Sequence, residues 1–189
     1  ALYISSSSTD DTVAGTGART VKVSGLDSDY DEVSVTVNMN GQSGVSLGTF
    51  TRVNRIEVLT AGSGGANAGN LHVGSEASPT VGVPATTYAY VTAGDNQTLM
   101  ALWTVPRNYT AYVTQTDITV ATTQNNKYCT VSLVARPFGG VFNVKDRFVK
   151  AESSVNQVYN FPLKFEEKTD IEFRAIGDSA GADIAVSAG

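Results

Sequence analysis

The sequence predicts an all-β protein: an antiparallel β-sandwich of jelly-roll type, preceded by an extended N-terminal arm. The first observation is composition, because the chain has 24 Val and 22 Thr but only 9 Leu in 189 residues. β-Branched side chains are stiff at χ1 and fit the pleated surface of a strand, whereas Leu is the commoner choice in packed helices. The second observation is a period-two alternation of apolar and polar residues. The third is a turn signal about every 8–12 residues.

The first segment, residues 1–19, is small and polar. This composition predicts an extended arm with one short strand at Leu2–Ile4. No apolar pattern in the remaining arm residues is long enough to indicate a buried element.

The two strands after the arm have the clearest alternation in the chain. Thr20–Leu26 alternates Val with Lys and Ser, and Asp31–Asn38 alternates Val with Ser and Thr. Asp27–Tyr30 between them has the composition of a hairpin turn. A short strand follows at Val45–Leu47. Phe50–Thr60 is predicted to be a strand whose pattern changes face once, as at a β-bulge.

Glycine and proline divide the middle of the chain. Ala61–Gly69 is a long loop of small residues, and Leu71–Val73 is a short strand. Ser75–Ala85 contains two prolines and is the best candidate for a linker or a crossover. We therefore predict one β-sandwich domain over residues 20–189, with any internal division near residues 75–86.

The second half has the pattern of a meander, with turns such as Thr123–Asn126 between its strands. The predicted strands are Tyr88–Thr92, Gln97–Val105, Thr110–Thr122, Lys127–Arg136, Val141–Arg147, Val158–Phe165, Asp170–Ala175 and Asp183–Ser187. Period-two spacing places four large side chains on one face of a strand, which predicts that this face is buried: Tyr159, Phe161, Leu163 and Phe165. Trp103 lies among Leu99, Ala101 and Val105 on one alternating face and is likewise predicted to lie in the core.

Charge and hydropathy argue against contact with nucleic acid and against a membrane span. Only 16% of the residues are charged, below the usual ~25%. A largely neutral polar surface suits a protein that packs against copies of itself. The net charge of −5 and the pI of about 4.8 disfavour contact with nucleic acid, which depends on Lys and Arg. No apolar stretch of ~20 residues is present, so no membrane span is predicted.

The residues that catalysis and metal binding need are scarce. His72 is the only histidine and no G-x-S-x-G elbow accompanies it, so we interpret it as a surface or partner-packed residue. Cys129 is the only cysteine and lies in an apolar alternating run, which predicts a buried, inert thiol. We therefore predict no catalytic, cofactor-binding or metal-binding residues, no cofactor and no enzymatic activity.

Two acidic segments resemble known sites without completing them. Asp27–Glu32 begins like a calcium-binding loop, but Glu32 and Asn38 stand where the EF-hand needs Gly and Glu. A solvated hairpin turn is the favoured interpretation. Glu166–Glu172 contains four carboxylates and could suggest a glycosidase pair. These residues straddle a turn, where their charges are expected to be solvated.

The glycine-rich loop Gly62–Gly69 suggests phosphate binding, but that hypothesis needs a helix N-terminus and usually a Lys-Ser/Thr pair. Neither a Lys nor a helical pattern follows. Glycines here are better explained by close approach of another chain or by a tight, irregular path. We predict that Ala61–Gly69, or the similar segment Ser5–Ala18, lies at an interface between chains.

An ordered set of seven stretches carries a family resemblance: Ala14–Val21, Gly25–Asp27, Tyr30–Glu32, Leu59–Gly69, Leu99–Pro106, Gly139–Phe142 and Phe161–Ile171. In this order they resemble virion structural proteins of tailed double-stranded DNA phages, especially those of marine bacteria and cyanobacteria. The resemblance covers most of Ala14–Gly189. The family has no catalytic residues to carry over.

The resemblance implies a non-enzymatic virion component on the outer surface of the particle, as a decoration, knob or fibre. Its expected partners are copies of itself, with a trimer preferred, and other virion proteins such as the major capsid protein. The alternative is a receptor- or carbohydrate-binding module of a tail fibre or of a secreted protein. A groove lined by exposed aromatics would favour the binding module, the candidates being Tyr88, Tyr90, Tyr109 and Tyr112. A large, self-complementary apolar interface would favour the shell component.

Overall fold

The structure, a computed structural model, describes residues 1–122, 128–150, 153–177 and 184–188. These residues form strands, turns and loops and include no helix, so the predicted all-β class is confirmed. The strand pairs among them are antiparallel. In the same part of the chain, no helix has the length and apolar character needed to cross a membrane. The predicted turn at residues 123–126 lies outside the described residues.

The chain divides into two compact units, Ala1–Met100 and Ala101–Gly189. The division therefore falls after the predicted one, because the segment near residues 75–86 belongs to the first unit. A jelly roll has about eight strands. Among the described residues, each unit combines a four-stranded sheet with a three-stranded sheet, and the jelly-roll topology stays a prediction.

The first unit is a two-sheet sandwich. Its strands are β1 (Leu2–Ser6), β2 (Ala18–Leu26), β3 (Glu32–Asn38), β4 (Val45–Gly48), β5 (Arg52–Ala61), β6 (Leu71–Gly74) and β7 (Thr87–Val91). They form sheets of order β4-β1-β6-β7 and β3-β2-β5. Fully buried side chains from both sheets share one core: Ile4, Leu71 and Val73 from the first, and Val21, Val23 and Ile56 from the second. Two antiparallel sheets that enclose one core define a β-sandwich.

The N-terminal residues lie inside this sandwich, whereas the sequence predicted an arm outside it. β1 pairs with β4 on one side and with β6 on the other, and Ile4 is fully buried. The expectation differed because it treated small polar residues as solvent-facing. Buried hydroxyls are tolerated where they are hydrogen-bonded. Ser5 Oγ donates to the carbonyl of Gly82 at 2.9 Å, and Ser6 Oγ donates to the carboxylate of Asp11 at 2.5 Å.

The predicted hairpin between β2 and β3 is confirmed, and the two strands pair without a register shift. In its turn, Asp27 Oδ1 accepts hydrogen bonds from the backbone N–H groups of Asp29 at 2.8 Å and Asp31 at 3.1 Å. A side chain that caps its own turn in this way is a standard role of Asp. β5 is a strand with irregular register, as predicted, but its register against β2 shifts at three places and not once.

The second unit also has two sheets, of order β11-β10-β13-β8 and β12-β9-β14. Its strands are β8 (Leu102–Thr104), β9 (Ala111–Thr122), β10 (Cys129–Arg136), β11 (Asn143–Lys150), β12 (Ser153–Phe165), β13 (Asp170–Gly177) and β14 (Ile184–Ala188). Buried side chains form two clusters, one around Leu133 and Phe165 and one around Ile118 and Val131. Phe173 packs against both clusters.

The predicted buried face of β12 is wrong at its centre. From Val158 to Leu163 the strand advances five residues, while its partner β9 moves by two, from Gln115 to Val113. The three surplus residues form a bulge, and within it Phe161 is 89% exposed. Period-two counting assumes an unbroken register, and a bulge breaks that assumption.

The flanking positions of the same face are partly or fully buried. Phe165 is 5% exposed and lies in the core, and Leu163 packs against it as a partly buried residue. Tyr159 is half-buried, and its hydroxyl donates to Asp146 Oδ2 at 2.8 Å. Burial raises the pKa of this phenol, and the hydrogen bond and charge of Asp146 raise it further.

Trp103 is not part of the core. Trp103 lies on β8, a strand of three residues at the edge of its sheet, and pairs with Ile171 on β13. Its side chain is 41% exposed. The face assignment is wrong, because Leu102 and Thr104 are the more buried residues of β8 and the indole of Trp103 lies on the opposite, exposed side of the strand. The side chain therefore keeps a large solvent-facing area.

Candidate functional site

His72 is buried, which corrects the expectation of a surface residue. It lies on β6, opposite Ser5 on one side and Tyr90 on the other, and is 7% exposed. Its ring packs edge-on against that of Tyr90 at 5.2 Å, and Nδ1 lies 3.4 Å from Thr87 Oγ1. Nε2 is buried without a hydrogen-bond partner. Burial lowers the pKa of the imidazole, so the neutral ring is favoured.

The segment that the sequence indicated as a linker packs beside His72, against its neighbours Ser5 and Gly74. Ser5, its neighbour on β1, donates to the carbonyl of Gly82, and a Cβ on Gly74 would lie 2.6 Å from Pro84 Cγ. The segment Ser75–Ala85 therefore lies against the outer face of β1 and β6. The hydroxyl of Thr87, 3.4 Å from Nδ1, is the polar side chain that contacts the ring.

A fully buried carboxylate, that of Asp11, joins the two glycine-rich segments of the first unit. Its Oδ1 accepts hydrogen bonds from the backbone N–H groups of Ala18 at 2.6 Å and Ala68 at 2.8 Å. Its Oδ2 accepts from the N–H of Gly69 at 2.9 Å and from the hydroxyl of Ser6. Four donors satisfy a charge that would otherwise be costly to bury.

The glycine-rich loop thus surrounds a carboxylate of its own chain. A Cβ on Gly17 would lie 2.1 Å from Asp11 Oδ1, and one on Gly62 would lie 2.2 Å from the carbonyl oxygen of Gly15. Real Cβ atoms do not approach so closely, so both positions need glycine. The close approach seen here is between two segments of one chain, as expected for the tight, irregular path that was one of the two predicted explanations. The placement of these segments at an interface between chains stays a prediction.

A reciprocal pair of asparagines holds the other end of this loop. The backbone N–H of Asn67 donates to Asn96 Oδ1 at 3.1 Å, and the N–H of Asn96 donates to Asn67 Oδ1 at 2.9 Å. Asn67 Nδ2 also donates to the carbonyls of Gly69 and Thr92. The loop is therefore tied to the turn after β7, and its polar groups are committed to the fold.

The acidic segment Glu166–Glu172 is bonded to several separate partners. Asp170 is 6% exposed, its Oδ2 accepts from Arg136 Nε at 2.8 Å, and its Oδ1 accepts from Thr104 Oγ1 at 2.7 Å. The expectation that the whole segment is solvated is wrong for Asp170. Three charge-assisted bonds compensate for its burial, because Arg136 Nη2 also donates to Oδ2.

The other carboxylates of the segment have different contacts. Glu166 forms an exposed ion pair with Lys164 at 2.8 Å, and this contact raises the pKa of the lysine. Glu167 Oε2 accepts from the backbone N–H of Asn108, and Glu172 pairs with Arg174 at 2.8 Å. The carboxylates therefore serve as structural partners, and a glycosidase pair gains no support from these contacts.

The predicted burial of Cys129 is confirmed. Cys129 is fully buried at the start of β10, in the cluster with Ile118 and Val131. Burial raises the pKa of the thiol, and a backbone hydrogen bond from Ile176 lowers it in part. A buried thiol with a raised pKa is a poor nucleophile. Among the described residues, no group of three or more His, Cys, Asp or Glu is arranged to hold a metal ion.

Several large apolar side chains are exposed on the surface. In the second unit these include Phe138, Val141, Phe161 and Ile176. The four tyrosines singled out in the sequence are also exposed, with Tyr88 and Tyr90 on β7 of the first unit and Tyr109 and Tyr112 in the second. Exposed apolar side chains mark a binding surface where they lie together in one patch.

The comparisons with known proteins find no match to this chain among protein-family models, curated proteins or solved structures.

Two polar centres escaped the sequence interpretation. Asp11 bonds Ala68 and Gly69, which are 57 and 58 positions away, and Asp170 bonds Thr104 at a separation of 66. No local pattern marks such partners. A weak signal was present for Asp11, because it comes shortly before the glycines at positions 15 and 17, and backbone N–H groups of such a loop can bind an anion.

Proposed function

We infer that this chain is a non-enzymatic structural component of a tailed-phage virion, a decoration or knob protein on the outer surface of the particle. It assembles as a homo-oligomer, preferably with three-fold symmetry, and attaches to other virion proteins such as the major capsid protein. A jelly-roll relationship to capsid-associated proteins belongs to the same proposal.

The observation that carries the proposal is how the chain uses its polar and apolar groups. The side chains best able to do chemistry are used inside the fold: Asp11 and Asp170 in hydrogen-bond centres, and His72 in packing. Large apolar side chains such as Phe138 and Phe161 are exposed instead. This distribution suits a protein whose role is to contact other proteins. The seven-stretch resemblance supplies the kind of assembly.

The test is to locate the chain in the assembled object. Antibodies against the purified protein are used for gold labelling of phage particles that carry the gene, followed by electron microscopy. We expect gold on the outer surface of the particle and the chain in the mass spectrum of purified virions. Absence of the chain from virions that are otherwise complete would overturn the proposal.

A second candidate is a receptor- or carbohydrate-binding module, because the four candidate tyrosines are exposed. Tyr88 and Tyr90 lie two residues apart on β7 and so face the same side of the strand. Exposed aromatic rings of this kind can stack on sugar faces. Binding to a glycan array that is lost in Tyr88→Ala/Tyr90→Ala, and kept in Tyr109→Ala/Tyr112→Ala, would favour this function over a purely structural one.

A further inference from the structure

The free edge of β3 stands out among the sheet edges of this protein. Within the described residues, β3 pairs with β2 alone and is the terminal strand of its sheet. An edge strand directs alternate backbone N–H and C=O groups away from its neighbour, and these groups can accept another strand. β3 is seven residues long, has no register shift against β2, and carries one charged residue, Glu32.

The other terminal strands of the described sheets are protected in ways that β3 is not. β4, β7, β8 and β14 have five residues or fewer. β5 is bulged and carries Arg52, Arg55 and Glu57, and β11 carries Lys145 and Arg147 beside a register shift. β12 is interrupted by its bulge and by Pro162. Short length, bulges, charges and proline are the usual devices that keep an edge from pairing.

The side chains of β3 would also fit beside an added strand. Val33, Val35 and Val37 pack against the core but are only partly buried. On the opposite face, Ser34 and Thr36 are exposed and uncharged. A strand added beside β3 would complete the burial of the valines and meet no charge on the other face.

The sequence of β3 matches itself in the antiparallel direction. If a second copy pairs about Val35, then Val33 lies opposite Val37 and Ser34 lies opposite Thr36. Glu32 lies opposite Asn38, so no like charges face each other. Apolar pairs fall on the core side and small polar pairs on the solvent side, as a two-fold contact requires.

We propose that the β3 edge is a two-fold interface, at which β3 of a second copy of this chain adds antiparallel about Val35 and joins two three-stranded sheets into one of six strands. The inference depends on the edge alone and does not need the chain to be a virion protein. It is also compatible with three-fold assembly, since the two contacts use different symmetry axes.

The test uses a pair of like-charge variants of the full chain. Ser34→Glu/Thr36→Glu leaves the monomer unstrained, because Thr36 lies opposite Lys22 and Ser34 lies opposite Ser24 on β2. In the two-fold contact it places glutamates opposite glutamates twice. The matched control, Gln157→Glu/Asn160→Asp, adds the same charge at exposed positions of β12. Analytical ultracentrifugation gives the dissociation constant, and hydrogen exchange gives the protection of the β3 amides.

We expect the unmodified chain to self-associate with protection of residues 32–38 that grows with concentration. The Ser34→Glu/Thr36→Glu variant should raise the dissociation constant about tenfold or more, and the control should not. Mixing that variant with Ser34→Lys, which leaves Thr36 in place opposite Lys22, should restore association through opposite charges, which shows that both variants are folded. A chain that is monomeric at millimolar concentration would overturn the proposal. So would association that Ser34→Glu/Thr36→Glu leaves unchanged, or that the control weakens equally.

Discussion

The guanidinium of Arg136 donates two hydrogen bonds to one carboxylate oxygen of Asp170, at 2.8 Å from Nε and 2.5 Å from Nη2. The two residues are direct cross-strand neighbours on β10 and β13. Thr104 on β8 donates to the other carboxylate oxygen, so one side chain links three adjacent strands of the sheet. Asp170 therefore holds together one end of this sheet.

Replacing Asp170 by Asn should lower the free energy of unfolding of the second unit by about 1–3 kcal/mol. The change removes the charge that Arg136 faces, and the penalty is moderated because the arginine side chain is 38% exposed. Urea denaturation monitored by Trp103 fluorescence measures it. Glu166→Gln is the control, since it removes only a surface ion pair and should leave the midpoint unchanged. Equal midpoints for both variants and the parent chain would contradict the prediction.

Replacing Asp11 by Ala should destabilise the first unit by about 3 kcal/mol or more. The change leaves three backbone N–H groups and the Ser6 hydroxyl without their acceptor in a buried site. Asp10→Ala is the matched control, because Asp10 is adjacent in sequence but exposed. Hydrogen exchange of the β1 and β6 amides reports on this unit. Similar exchange in the two variants would show that the Asp11 centre contributes little.

The bulge in β12 makes opposite predictions for two phenylalanines of one strand. Phe161→Ala should change the free energy of unfolding by less than about 0.5 kcal/mol, because the ring is 89% exposed. Phe165→Ala should cost about 3–5 kcal/mol, since it removes a buried aromatic side chain from the core. Chemical denaturation of both variants checks the register directly. If Phe161→Ala were the more damaging change, the bulge would be misplaced.

Stability should fall on acidification because of His72. Burial lowers its pKa in the folded state, so the unfolded chain takes up the proton more readily. The contribution of His72 to stability is constant above about pH 6.5, the unfolded value, and decreases as the pH falls below it. The difference between the parent chain and His72→Gln, measured by urea denaturation from pH 8 to pH 5, isolates this effect.

The same residue offers a direct measurement. His72 is the only histidine in the chain, so its C2 proton gives one imidazole signal in an NMR titration. We expect a folded-state pKa below 6.5. A value at or above that would show that the ring is accessible to solvent or paired with an acid.

The elements that the sequence predicted well are those with unbroken local alternation. The β2–β3 hairpin has regular pairing and a turn fixed by Asp27, so nearest neighbours contain all the information needed. The burial of Ser5 and Ser6 was not predicted, because it depends on hydrogen-bond partners at Gly82 and Asp11 and not on the hydropathy of the serines themselves. Phe161 failed because a register shift is a property of two strands, and one strand's sequence does not contain it.

Some candidate functional features could also be predicted from the sequence, and others could not. The scarcity of reactive residues is visible in the composition, and the burial of Cys129 follows from its local pattern. The open edge of β3 could not be foreseen, because the alternation identifies a strand without saying whether it has one neighbour or two. Only the sheet order shows that β3 is terminal.

The position of β1 in the middle of its sheet also sets an order of events during synthesis. Tyr3 pairs with Gly74, 71 positions later in the chain, so β1 leaves the ribosome long before its partner β6 exists. Contacts at such separation make folding slow, because a long loop must close before they form. Until then Ile4 and its neighbours are exposed on a nascent chain. The first unit should therefore acquire protease resistance in one late step, only after β6 has emerged from the exit tunnel.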